Sequence, residues 1–195
     1  MDLSVVIPCK DGADAIGDQL AALARQQWNR PWEVIVADNG STDGTAAVVL
    51  KHKKQLPQLR WVDASSRPGA AHARNVGVAA ARGQAIAFCD ADDEVGAGWL
   101  TAMGNGLKQH DFVAARLDIE KLNPPEITRN LNHPQRDGLQ TVAYPPHLPH
   151  ASGTSLGVKR DVHYAFGVFD EVSSQTFCRH TCERFFAVRP CAREL

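Results

Sequence analysis

The sequence predicts an α/β domain in which a mostly parallel sheet carries helices on both faces. Three observations predict it. Four short apolar runs rich in β-branched residues alternate, along residues 3–89, with segments of helical periodicity. The runs are continuously apolar rather than alternating, as in strands covered on both sides. The chain has 195 residues, 44% of them apolar, which suffices for one domain with a real core.

Leu3–Ile7 is the first strand, closed by Pro8. Ala13 to Gln27 follows as a helix with Ile16, Leu20 and Leu23 on one face. Glu33–Ala37 is the second strand and ends in the turn-forming Asp38-Asn39-Gly40-Ser41. Thr42 and Asp43 are positioned to cap a helix reaching roughly Lys54. Leu59–Val62 reads as a strand, Ala70–Arg82 as an alanine-rich helix and Ala85–Cys89 as a strand. Beyond it a helix is expected over Gly98–Gln109 and a strand over Phe112–Leu117. Residues 121–151 hold six of the eleven prolines, the mark of a long irregular loop, which in a compact domain is usually functional or mobile. Ser152–Val158 is a last strand, followed by a short helix from Lys159 to Ala165.

Lys plus Arg (21) nearly balances Asp plus Glu (22), for a formal net charge of −1. That balance supplies no general field for nucleic acid or an anionic membrane. No apolar run is long enough to span a bilayer, and no leader precedes Leu3, so a cytoplasmic protein is expected. Of the five cysteines, Cys9 and Cys89 lie in strand-like runs and read as reduced core thiols. Cys178, Cys182 and Cys191 crowd the tail with His180, at a spacing that matches no paired zinc motif.

In an open α/β sheet, ligands bind beyond the carboxyl ends of the strands. Here those ends carry Pro8-Cys9-Lys10-Asp11, Asp38-Asn39-Gly40, Asp63-Ala64 and Asp90-Ala91-Asp92-Asp93-Glu94. Neither a P-loop nor a G-x-G-x-x-G turn is present to cradle phosphate. The acidic run places four carboxylates within five residues, an arrangement that repels itself unless a cation compensates. Hard divalent cations take oxygen ligands, and Mg²⁺ is often held by one or two carboxylates plus substrate phosphates. The run therefore reads either as a metal–diphosphate site or as solvated acids leading into the next helix.

Four ordered segments resemble the family 2 glycosyltransferases of the GT-A, Rossmann-like fold: Ser4-Val5-Val6-Ile7-Pro8, Val34 to Thr45, Ala73-Arg74-Asn75-Val76-Gly77 and Ala87-Phe88-Cys89-Asp90-Ala91-Asp92-Asp93. The likeness continues through Gly153–Val158 and Gly167-Val168-Phe169-Asp170-Glu171, where the family has a G-G-F-D-E-like acceptor-side segment. The resemblance implies that Pro8, Cys9 and Lys10 line a nucleoside pocket and that Asp38, or Asn39 beside it, bonds the base. It further implies that Arg74 lies near the donor, that Asp90 meets the ribose and that Asp92 ligates Mn²⁺ or Mg²⁺. The implied reaction moves a sugar, with inversion, from a nucleotide-diphospho-sugar to a hydroxyl on a glycan, a lipid-linked or a small-molecule acceptor. The implied layout is a donor half (1–118), an acceptor-side segment (119–171) and an atypical tail (172–195) within one structural domain.

The family's catalytic base comes shortly after the position of Glu171, in a Glu-Asp-like segment, whereas Val172 to Glu183 holds no such pair. No base is assigned; Glu183 is the weak candidate, and Asp170 and Glu171 read as structural or acceptor-side. The tail reads as a divergent acceptor module or as a truncated or frame-altered end. Two alternatives follow: a nucleotide-sugar-binding protein with little or no turnover, and a serine hydrolase. The latter rests on Gly153-Thr154-Ser155-Leu156-Gly157, a G-x-S-x-G pattern, with Asp161 or Asp170 and His163 or His180 after it. Loop residues His133, His147 and His150 read as surface histidines, and Trp28, Trp32 and Trp61 as packing between helices and sheet. Trp99 reads as core, with sugar stacking the alternative. An uncovered apolar edge would favour self-association or a peripheral membrane position.

Overall fold

The computed structural model describes residues 1–129, 135, 140–141, 149–171 and 193–194. The elements are β1 (Leu3–Cys9), α1 (Ile16–Ala24), β2 (Trp32–Asp38), α2 (Thr45–His52), β3 (Leu59–Asp63), α3 (Ala70–Ala80), β4 (Ala85–Cys89), α4 (Trp99–Gln109) and β5 (Phe112–Ala114). They continue with α5 (Pro125–Thr128), β6 (Gln140–Thr141), β7 (Pro149–His150), β8 (Ser155–Lys159), α6 (Arg160–Ala165) and β9 (Arg193–Glu194). Among the described residues the main sheet has the order β3-β2-β1-β4-β8-β5-β9, and β6 pairs with β7 separately. β1 runs parallel to β2 and β4, β2 to β3, and β5 to β9; β8 alone is antiparallel to its neighbours β4 and β5.

Every residue of β1 and β4 is buried, as their apolar runs require. Val5, Ile7, Val34, Val36 and Ala87 pack under α1, α2 and α4 through Ile16, Leu20, Leu23, Val49, Leu100 and Met103. On the other face Val6, Ile35, Ile86, Phe88 and Leu156 meet Val78 of α3, Val162 of α6 and Phe169. Helices therefore cover both faces, as the sequence predicts.

The boundaries shift where backbone groups are spent elsewhere. The helix expected from Ala13 begins at Ile16, because the amides before it bond the neighbouring loop. Asp11 N donates to Ser41 Oγ (2.8 Å), Gly12 N to Thr45 Oγ1 (2.9 Å) and Ala13 N to Asp43 Oδ2 (2.9 Å). Asp43 does serve the start of α2, accepting from Thr45 N at 3.0 Å, whereas Thr42 turns back to Asp11 through its N–H (2.7 Å) and hydroxyl. The strand expected over Phe112–Leu117 stops at Ala114. Among its described residues the proline-rich stretch holds the short helix α5 and the β6–β7 pair. The tail residues Cys178, His180, Cys182, Glu183 and Cys191, and the loop residues His133 and His147, lie outside the described residues.

The strand order sets the position of a site. From β1 the chain steps outward through β2 to β3, then returns past β1 to β4. The carboxyl ends of β1 and β4 thus flank the switch point, where connections diverge and leave a crevice.

Candidate functional site

A cleft of about 630 Å³ opens at that switch point. Pro8, Cys9 and Lys10 from the end of β1, Asn39 from the end of β2, and Asp90 and Asp92 after β4 line it, with Gly69, Ala73 and Arg74 from the start of α3. The structure therefore brings together seven of the eight expected residues. Asp38 is the exception. It is 5% exposed, its Oδ1 accepts from Ser41 N (3.1 Å) and its Oδ2 from Trp61 Nε1 (3.3 Å). As an even-numbered β2 residue it shares the sheet face of Val34 and Val36, turned toward the helix α2 side.

Asn39 is on the cleft, with its amide committed to the wall. Its Nδ2 donates to Ala64 O (2.6 Å) and Arg67 O (2.7 Å), and its Oδ1 accepts from Gly69 N (2.8 Å). These three bonds shape the loop into α3, whose first residue follows Gly69 at φ +125°, a backbone conformation suited to glycine. Arg74, 4% exposed, projects from α3 and donates to Asp90 Oδ1 at 2.6 Å. Its guanidinium also lies 5.7 Å from the ring centre of Phe169.

The acidic run is split by environment. Asp92 is exposed, Asp90 half-buried. Burial pushes the Asp90 carboxyl up, against the opposing pull of Arg74. Burial, then the neighbouring Asp90 and Asp92 charges, raise Asp93 to about 6. Among the described residues no three His, Cys, Asp or Glu side chains converge to hold a metal unaided. An oxygen-only pair of acids at a cleft rim suits a cation whose other ligands come from a diphosphate.

Two supporting residues escape sequence reasoning. Gln19 of α1 is fully buried, donates through Nε2 to Asp90 O (3.1 Å) and accepts from Val95 N through Oε1 (2.9 Å), bracing the acidic loop at both ends. The signal was there: a glutamine within the apolar stripe of Ile16, Leu20 and Leu23. Asn75, one residue past Arg74, reaches Phe169 and Glu171. That pairing spans 96 positions and leaves no local trace.

The nucleophile-elbow reading is corrected. An elbow serine ends a strand before a helix, whereas Ser155 opens β8. Its Oγ accepts from buried Trp99 Nε1 at 3.0 Å on the α4 face. His163 lies across the sheet, among Phe88, Tyr164 and Phe169. Trp99 is thus core. Trp61, expected to pack inside, stands 42% exposed on the edge strand β3, where no further strand among those described covers it.

A profile of glycosyl transferase family 2 matches residues 4–167. The chain belongs to that family. Related sequences include the uncharacterized glycosyltransferase YibD of Escherichia coli, 36% identical over 93 residues, which are 48% of this chain and 26% of YibD. Similar solved folds include residues 1–349 of Staphylococcus aureus TarS in complex with UDP-GlcNAc, with a TM-score of 0.72 at 21% identity, covering 100% of this chain and 56% of that TarS fragment. The mannosyltransferase PcManGT from Pyrobaculum calidifontis, in complex with GDP-Man and Mn²⁺, gives a TM-score of 0.64 at 24% identity over 86% of this chain and 47% of PcManGT. The structural likenesses establish the GT-A fold for this family 2 chain, which spans well under two thirds of these relatives' lengths. Among the described residues no helix is long and apolar enough to cross a membrane.

Proposed function

We propose that this chain binds a nucleotide-diphospho-sugar in the switch-point cleft and transfers the sugar, with inversion, to an acceptor hydroxyl. The carrying observation is the convergence of Pro8, Cys9, Lys10, Asn39, Arg74, Asp90 and Asp92 on one cleft in a family 2 chain. The UDP-GlcNAc of the TarS complex and the GDP-Man and Mn²⁺ of the PcManGT complex support the donor class.

In this reading the β1 end and Asn39 wall the nucleoside, and Asp90, oriented by Arg74 and Gln19, takes the ribose hydroxyls. Asp38 acts from behind, holding the turn at Ser41. Asp92 at the exposed rim, with Asp90 and Asp93 behind it, would hold Mn²⁺ or Mg²⁺ beside the diphosphate. When bound, such a cation neutralises charge on the departing nucleoside diphosphate. Lys10, exposed at the cleft mouth, adds positive charge on the opposite wall. Residues 1–118 form the donor half and 119–171 the acceptor side; residues 172–195 stand as an atypical tail. The acceptor is a glycan, a lipid-linked or a small-molecule hydroxyl compound, and peripheral membrane association or self-association would place the chain near it.

Calorimetric titration with UDP, with and without Mn²⁺, tests the reading. Metal-dependent binding is expected, with affinity falling at least tenfold in Asp92→Ala. No binding of UDP, GDP or dTDP under either condition overturns it. The second reading, donor binding without turnover, is favoured by the missing Glu-Asp pair after Glu171. Release of free sugar from UDP-GlcNAc or GDP-mannose separates the two.

A further inference from the structure

The geometry points to a positioning clasp, Asn75 with Glu171, that ties the start of the acceptor side to the same helix that sets the donor-site acid. It rests on the glycosyl-transfer reading above. Successive helical residues point about 100° apart, so adjacent positions serve different neighbours. Arg74 turns to Asp90; Asn75 turns to the segment 167–171.

The Asn75 amide imitates a strand partner for Phe169. Its Nδ2 donates to Phe169 O (2.9 Å) and its Oδ1 accepts from Phe169 N (3.0 Å). The same Nδ2 donates to Glu171 Oε1 at 2.7 Å. The other oxygen, Oε2, accepts from Arg67 Nη1 (3.1 Å) and His72 Nδ1 (3.1 Å). A carboxylate only accepts, so His72 carries a proton on Nδ1; in the neutral ring its Nε2 then takes the Ser66 hydroxyl at 2.9 Å. Four residues of the β3–α3 loop and α3 (Ser66, Arg67, His72 and Asn75) thereby join one carboxylate network.

What this network fixes reaches the donor. Phe169 is 5% exposed and stands edge-on to Phe88 of β4, with ring centres 5.1 Å apart at 88°. Its ring faces the Arg74 guanidinium, which holds Asp90. Moving Phe169 therefore moves a wall of the Arg74 site, and the chain leaving Glu171 starts from a point fixed relative to Asp90. The β1 contacts lie outside the clasp, Asn39 meets Arg67 at its backbone carbonyl rather than at the guanidinium that joins Glu171, and Asp90 is held by Arg74 and Gln19 as well. Loosening it should leave nucleotide affinity in place and spoil the geometry between donor and acceptor, an error to which rates are steeply sensitive.

The experiment uses the whole chain with Asn75→Ala, Glu171→Ala and Glu171→Gln, the last keeping through its single amide oxygen the acceptor for Asn75 and giving up the one for Arg67 and His72. UDP affinity with Mn²⁺, kcat and KM for UDP-GlcNAc or GDP-mannose, and hydrogen exchange of residues 167–171 are measured. The two alanine variants are expected to lose about 10- to 100-fold in kcat, with UDP affinity and donor KM within threefold of the wild type. Exchange over 167–171 should rise in both, and Glu171→Gln should restore kcat to within threefold. Unchanged kcat in Asn75→Ala overturns the clasp, as does loss of UDP affinity in step with melting temperature. Should the wild type bind UDP without turnover, nucleotide-induced protection of 167–171, present in the wild type and absent in Asn75→Ala, supports the clasp, and its absence from the wild type overturns it. A wild type that binds neither UDP nor GDP sinks the glycosyl-transfer reading itself, an outcome distinct from failure of the clasp.

Discussion

At the scale of single residues, the cleft wall contains a thiol whose surroundings keep it inert. Cys9 is 4% exposed, and Gly12 approaches so closely that a Cβ there would sit 2.8 Å from its Sγ. Burial, then the carboxylates of Asp38 and Asp43, push the thiol up to about 11. Burial, foremost, also raises the Cys89 thiol beside Asp90. Only a thiolate attacks, so at pH 8 roughly one Cys9 in a thousand is reactive. Cys9 is thereby a wall of the switch-point cleft rather than a covalent catalyst. Iodoacetamide labelling of the native chain, read by peptide mass spectrometry, should modify Cys9 at least about 100-fold more slowly than a free thiol. Labelling at the rate of a free thiol would show that these carboxylates and this burial do not govern it.

At the scale of elements, α3 does the most to organise the site, and its fit on the sheet depends on one missing side chain. A Cβ on Gly77 would lie 2.4 Å from Val6 Cγ1 and 3.5 Å from Ala37 Cβ. Val6 is fully buried and β-branched, so it has little freedom to yield. Gly77→Ala should therefore lift α3 from β1 and β2 and cost about 1–3 kcal/mol in urea unfolding. Val6→Ala in the same chain should recover part of that loss, giving a non-additive double-mutant cycle. Additive losses would show that the two side chains do not meet. The same helix shows what sequence reading can reach. Apolar runs and strand-end acids were legible because periodicity and chain order are local properties. Gln19, Asn75 and Glu171 were not legible as partners, because their bonds join positions 71 and 96 residues apart. Between Asp38 and Asn39 the sequence left the choice open, because a strand-end aspartate forms its turn as readily as it meets a ligand, and here Ser41 and Trp61 bond Asp38.

At the scale of the whole molecule, the face that carries the clasp also carries a titration that governs stability. His163 of α6 is 1% exposed, ringed by Phe88, Tyr164 and Phe169, and its Nε2 has no hydrogen-bond partner among the described residues. Burial alone lowers it from 6.5 to about 4. Above pH 6.5 the ring is neutral in both folded and unfolded chains, and it contributes no pH dependence. Between pH 6.5 and 4 the unfolded chain takes up a proton that the folded chain refuses, so stability falls as the pH falls. The full difference amounts to about 3 kcal/mol by pH 4. His163→Leu replaces the ring by an apolar side chain of similar volume and removes that proton from the balance. Carboxylates such as Glu33 and Glu171, held below their ordinary range chiefly by hydrogen bonds that outweigh burial, titrate alike in both proteins and cancel in the comparison. The wild type should thus lose stability relative to His163→Leu as the pH drops from 7 to 4.5, in urea unfolding followed by circular dichroism. Parallel curves would mean that His163 is protonated in the folded chain and that the packing between α6 and Phe169 opens to admit water.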